Sequence, residues 1–127
     1  MHADNEWDRD SDVTMVLSHL SSTMTDFPSF YGKLLDEYGD ELTLQVIFSA
    51  LSELVKDALA IGEQNNKTLN ECLSVLEDLA DESKFDLYEE IAYCFFDNLG
   101  NEYREIVKNM LLGNNLTAIL RNLEQED

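Results

Sequence analysis

Basic residues are scarce in this chain: 8 lysines and arginines stand against 27 aspartates and glutamates, a net charge of −19 over 127 residues. That shortage disfavours nucleic acid and anionic membrane surfaces as direct ligands, because each phosphate contact needs a Lys or Arg. Proline occurs once, at Pro28, and glycine five times, so no long linker divides the chain. One domain with one core is expected. Two cysteines, Cys72 and Cys94, are too few for a disulfide framework. Both fall on the apolar sides of expected helices, where a reduced thiol packs as a small hydrophobe. The first ten residues, Met1-His-Ala-Asp-Asn-Glu-Trp-Asp-Arg-Asp10, have neither a basic start nor an apolar run, so no signal peptide is expected. The longest apolar stretches are too short to span a bilayer. The expectation is a soluble, cytoplasmic protein.

The residues that catalysis needs are also missing. Histidine occurs twice, at His2 and His19, with no second histidine at ligand spacing and no Cys-x-x-Cys, so no zinc site is expected. Asp4-Asn-Glu-Trp-Asp-Arg-Asp-Ser-Asp12 alternates oxygen ligands as a calcium loop does. It lacks the central glycine and the bidentate glutamate at the twelfth position, and Arg9 would repel the ion. No glycine-rich phosphate loop and no nucleophile elbow occur. The chain reads as a non-enzyme without metal or cofactor.

What is present is helical periodicity. Apolar residues make up 44 % of the chain, enough to fill a core, and they recur with a period near 3.6 almost throughout. A first helix is expected from about Ser11 to Met24, buried through Val13, Val16, Leu17 and Leu20. Pro28 suits the first turn of a second helix, which carries Phe30, Tyr31, Leu34, Leu35 and Tyr38 and stops at Gly39. Asp40 is expected to cap a third helix ending at Ile61 before Gly62. Its apolar arc, Leu44, Ile47, Phe48, Leu51, Leu54, Val55, Ala58, Leu59 and Ile61, is wide enough for a central helix with neighbours on two sides. Residues 63–67 read as a polar connector. Thr68 and Glu71 form a capping box for the fourth helix, whose inward stripe is Leu69, Cys72, Leu73, Leu76, Leu79 and Ala80.

A fifth helix is expected from Asp86 to Leu99, facing the core through Leu87, Tyr88, Ile91, Ala92, Cys94 and Phe95, and Gly100 ends it. A sixth runs from Asn101 to Gly113 with Tyr103, Ile106, Val107, Met110 and Leu111 buried. Leu116 to Leu123 forms a last short helix. The fold class is therefore all-α: a single-domain irregular bundle or stacked helical hairpins of about six to seven helices. Residues 1–10 read as a flexible acidic arm, 11–123 as the helical domain and 124–127 as a frayed tail.

The acid is unevenly spread. Between Glu71 and Asp97 there are nine acids and one base, Lys84, whereas Gly100 to Leu123 sets Glu102 and Glu105 against Arg104, Lys108 and Arg121. Glu71, Asp78, Asp81 and Glu82 fall opposite the leucine stripe of the fourth helix. Glu89, Glu90, Tyr93 and Asp97 share the outward face of the fifth, and Phe96 also points away from its stripe. Like charges three and four residues apart weaken a helix by about 0.2–0.5 kcal/mol per pair. An acidic face around aromatic anchors suits a basic protein partner: charge speeds encounter and the rings supply desolvated contact. These nine residues are the expected partner-binding ridge. The N-terminal arm with the second helix is the other candidate surface.

Two segments carry a resemblance. Ile91-Ala-Tyr-Cys-Phe95-Phe-Asp97-Asn98-Leu99-Gly100 and Ile106-Val-Lys-Asn-Met-Leu-Leu-Gly113-Asn-Asn-Leu116 resemble the apolar–Phe–acid–Asn–Leu segment and later Leu-Gly turn of small acidic all-helical bacterial toxin-immunity proteins. The usual proline after that turn is Asn114 here. The resemblance, confined to the C-terminal third, implies a cytoplasmic antidote that binds one cognate toxin and acts by occlusion without catalytic residues; the acidic ridge makes a basic toxin domain, a nuclease foremost, the expected partner. Two other readings stay open. One is a phage-encoded inhibitor whose carboxylates imitate phosphates on a host DNA-binding enzyme; the other is a helical adaptor or chaperone.

Overall fold

A computed structural model describes the backbone of residues 3–61, 67–110 and 113–126, and the side chains of these apart from residues 3–11, 40 and 126. The order is α1 (Ala3–Thr23), α2 (Phe27–Tyr38), a 3-10 turn (Gly39–Glu41), α3 (Leu44–Ile61) and α4 (Lys67–Leu79). A π-helix (Glu90–Phe96) then runs directly into α5 (Asp97–Asn109), and α6 (Asn114–Glu126) closes the bundle. No strand occurs among the described residues. The chain is an all-α bundle of about six helices, as its apolar period dictates.

Local signals explain most boundaries. Pro28 lies in the first turn of α2, where its missing N–H costs nothing. Gly39 and Gly100 take φ +52° and +82°, the left-handed region that a side chain would strain, and Gly100 breaks α5 into two helical parts. Other boundaries move. α1 begins at Ala3 rather than Ser11. Thr43, not Asp40, caps α3: its Oγ1 accepts the Val46 N–H at 3.3 Å, while Asp40 is taken up in the 3-10 turn. Thr68 lies inside α4. Gly113 does not end the sixth helix; it starts α6, with its carbonyl accepting from Thr117 N–H at 3.1 Å. The last helix continues past Leu123 to Glu126. Gly62, residues 63–66, Leu111 and the side chain of Trp7 lie outside the described residues.

One core cluster draws on every helix, and α3 is its spine, packing on the π-helix, α5 and α4. Within α6, Leu116, Ile119, Leu120 and Leu123 are all buried, each contributing about 1.5–3 kcal/mol of apolar transfer. α2 is the exception. Only Leu34 of its residues is buried, and Leu35 and Tyr38 stand exposed. Ile61, expected inside, is 71 % exposed at the end of α3, while Ser52 on the expected polar side is buried.

The π-helix accounts for the largest correction. Phe96 was expected to face outward and is fully buried, together with Ile91, Ala92 and Phe95. In an α-helix residues 91 and 96 would lie about 140° apart. Here Asp97 N–H donates to the Ala92 carbonyl, an i→i+5 bond of a wider turn that brings residues five apart closer to one face. The wider turn lets both neighbouring rings reach the core, where Phe95 and Phe96 meet edge to face at 5.2 Å.

Candidate partner-binding surface

The nine residues of the expected ridge divide by what they touch. Glu71 points into the fold: its Oε1 accepts the Thr25 N–H at 3.0 Å and its Oε2 the Thr25 hydroxyl at 2.9 Å. It pins the α1–α2 connection to α4 instead of closing a capping box with Thr68. The Thr25 N–H bond holds the Glu71 carboxyl below its ordinary range; partial burial opposes this, and the Thr25 hydroxyl and Lys67 add to it. Asp81 is also committed. Its Oδ1 accepts from Ser83 Oγ at 2.6 Å and Ser83 N–H at 3.0 Å, closing a turn of its own chain after α4. The Ser83 hydroxyl, then the Ser83 N–H, lowers its pKa against partial burial, and Lys84 at 4.0 Å adds to the effect. Phe96 is in the core.

A depressed carboxylate stabilises fully above its unfolded pKa and loses that contribution as pH falls through the lower folded value. Glu71→Gln should therefore lower the melting temperature at pH 7, and the difference from the parent should shrink below about pH 4. Melting curves at both pH values check this. An undiminished difference in acid would mean that Glu71 acts by packing rather than by charge.

Six of the nine remain available at least in part. Asp78, Glu82, Glu89 and Asp97 are exposed, Tyr93 is 42 % exposed and Glu90 is half-buried. Glu90 sits beside Cys94, whose thiol pKa is raised first by burial and then by that charge. Burial alone pushes the Cys72 thiol up to about 12, so it is inert packing. α4 and the π-helix hardly touch one another; both pack on α3 and α6. The exposed acids thus fall in two groups, one at the end of α4 and one along the π-helix. Glu82 and Tyr88 line the same hollow of about 210 Å³ against α6.

Glu77 has a role that no local pattern announces. Its carboxylate accepts the N–H groups of Asn115 and Leu116, each at 2.9 Å, and so caps α6 from across the bundle. Gly113 lies against that carboxylate, and a Cβ there would come within 2.7 Å of Glu77 Cγ. Several of the scarce cations are likewise engaged. Lys56 pairs with Glu53 at 2.9 Å, and Lys108 with Glu124 at 3.0 Å and Glu105 at 3.5 Å. The Glu124 hydrogen bond is the main reason the Lys108 pKa is raised, against partial burial, with Glu105 adding to it. Arg104 is buried and bonded to Asn101, one guanidinium nitrogen having no partner among the described residues.

A second surface lies between α2 and α3. The two helices line an open groove of about 530 Å³ with an apolar floor and a rim of Asp26, Glu37, Glu53 and Asp57. Among the described residues no three His, Cys, Asp or Glu side chains could together hold a metal ion, and no helix is long and apolar enough to cross a membrane. In comparisons with known proteins, no family model, no curated protein and no solved structure matches this chain.

Proposed function

We propose that this chain is a non-catalytic binding protein that neutralises a basic protein partner by occlusion, working in the cytoplasm as an immunity protein does against a bacterial toxin. A nuclease is the target its charge suits best, since a nuclease presents a cationic groove that a folded acidic surface can cover. The observation that carries this reading is that Asp78, Glu82, Glu89 and Asp97 are exposed, and their carboxylates have no ion pair or hydrogen bond among the described residues. Held without counter-charges, such groups repel one another in the free protein. A basic partner relieves that repulsion, and the long-range field speeds encounter. Tyr93, exposed between Glu89 and Asp97, offers the aromatic contact that such interfaces concentrate on. Occlusion asks no chemistry of the binder.

Capture of the tagged protein from its native cell lysate, washed at low and then high salt, tests this. One stoichiometric basic protein is expected, weakening as salt screens the exposed charges. Reversing Asp78, Glu82, Glu89 and Asp97 together to lysine should abolish that capture and leave the helical circular-dichroism signal intact. Several host DNA-binding enzymes instead of one partner would shift the reading to phosphate mimicry. Retention of unfolded chains insensitive to salt would shift it to chaperoning.

A further inference from the structure

We infer that the groove between α2 and α3 is the seat for a cationic amphipathic helix of the protein partner, the apolar face of that helix entering the groove and its Lys or Arg residues meeting the rim. The inference rests on the basic-partner reading above and adds a second contact for that partner, beside the exposed acids of α4 and the π-helix, together with its form. α2 packs on α1 and on the 3-10 turn but hardly on α3. The space left between them is floored by Phe30, Leu34, Val46, Ala50 and Leu54. α2 is amphipathic, yet Leu34 is its only buried residue; Tyr38 stands exposed at one end of the groove. Its apolar face is incompletely covered in the free protein.

Length and charge select the occupant. From Asp26 to Glu37 on one wall, and from Val46 to Asp57 on the other, each helix runs about 16 Å. Three turns of a docked helix cover that distance with anchors at i, i+4 and i+7. The groove is about half open to solvent, so it would leave much of a small ligand wet where pockets for such ligands bury most of it. Four carboxylates rim it against Lys33. Glu53 is paired with Lys56, but the carboxylates of Asp26, Glu37 and Asp57 have no partner among the described residues. A second copy of this chain is a poor occupant, because each copy brings a net charge of −19. A helix with an apolar stripe flanked by lysine or arginine satisfies both the floor and the rim.

The probe is a fluorescein-labelled synthetic helix about four turns long, with leucine at i, i+4 and i+7 positions and lysine elsewhere. One control scrambles the leucines at constant charge, and another exchanges lysine for glutamate. Anisotropy at about 0.15 M salt should show one-to-one binding of the first peptide, with the scrambled version weaker by about tenfold and the glutamate version not bound. The double variant E37K/D57K should weaken binding about tenfold, while D86K/E102K, the same charge change at exposed acids outside the groove, leaves it within about twofold. Amide shift mapping on the parent protein should place the peptide on α2 and the facing residues of α3, and this decides the matter if E37K/D57K fails to fold. Shifts on α4 and the π-helix, equal binding of the scrambled peptide, or no binding at all would overturn the inference. So would a dimer in solution whose contact covers α2 and α3. Lysate capture of no basic protein while the peptide still maps to the groove would overturn the occlusion reading alone.

Discussion

Phe96→Ala is expected to cost about 3–5 kcal/mol of unfolding free energy, the range for truncating a fully buried phenylalanine. Tyr93→Ala, three residues earlier on the same segment, should cost less than about 1 kcal/mol. Urea unfolding followed by circular dichroism measures both. The contrast reads out the register of the π-helix directly. Phe96 is 0 % exposed against 42 % for Tyr93, and its ring packs on Phe95. A regular α-helix through the same residues would leave Phe96 at the margin of the inward stripe, about 140° from Ile91, and its truncation would then cost less. Against a total stability of about 5–15 kcal/mol for a domain, the expected loss is large enough to leave the variant partly unfolded.

The second large effect couples Glu77 and Gly113. Glu77→Ala removes a charged acceptor from two backbone donors at the start of α6 and should cost about 2 kcal/mol. Gly113→Ala should cost nearly as much by a different route, since the added Cβ displaces the Glu77 carboxylate from its place. The backbone of Gly113 lies outside the left-handed region, so alanine brings no conformational strain. With Glu77 already replaced by alanine, Gly113→Ala should therefore change sign and stabilise by about 0.4–1 kcal/mol through the unfolded chain. A double-mutant cycle in urea isolates that coupling. Additive costs would mean that the two residues act independently and that the cap is not the reason for glycine at this position.

The acid surplus that dominates the sequence is thus put to two uses. Glu71, Glu77 and Asp81 are bound into the fold, holding the α1–α2 connection, the start of α6 and the turn after α4. Asp78, Glu82, Glu89 and Asp97, together with the rim of the α2–α3 groove, remain directed at solvent. The net charge shrinks as pH falls from 7 toward the isoelectric point of about 4.1, which relieves repulsion across the molecule, while Glu71 and Asp81, held below the ordinary carboxylate range, keep their bonds to lower pH. Stability is therefore expected to rise on mild acidification and to fall once those two carboxylates protonate.

Helix class, the central position of α3, the inward stripe of α4 and the breaks at Gly39 and Gly100 were legible in the sequence. Each depends on neighbours within a turn or two: a 3.6-residue apolar period, a proline in a first turn, a glycine where φ must be positive. The excess of carboxylate was equally plain. Which carboxylates are free was not, because adjacent residues on α4 look alike in the chain. Asp78 faces solvent, whereas Glu77 meets Asn115 across 38 positions and Glu71 meets Thr25 across 46. The direction of Phe96 was hidden for a related reason. A seven-residue π-turn gains nothing from local propensity and is held by the core on which two adjacent phenylalanines close, so only the packed bundle decides it. The groove beside α2 belongs to the same class: the sequence determined that α2 is amphipathic, and the tertiary structure decided that α3 stands too far away to cover it.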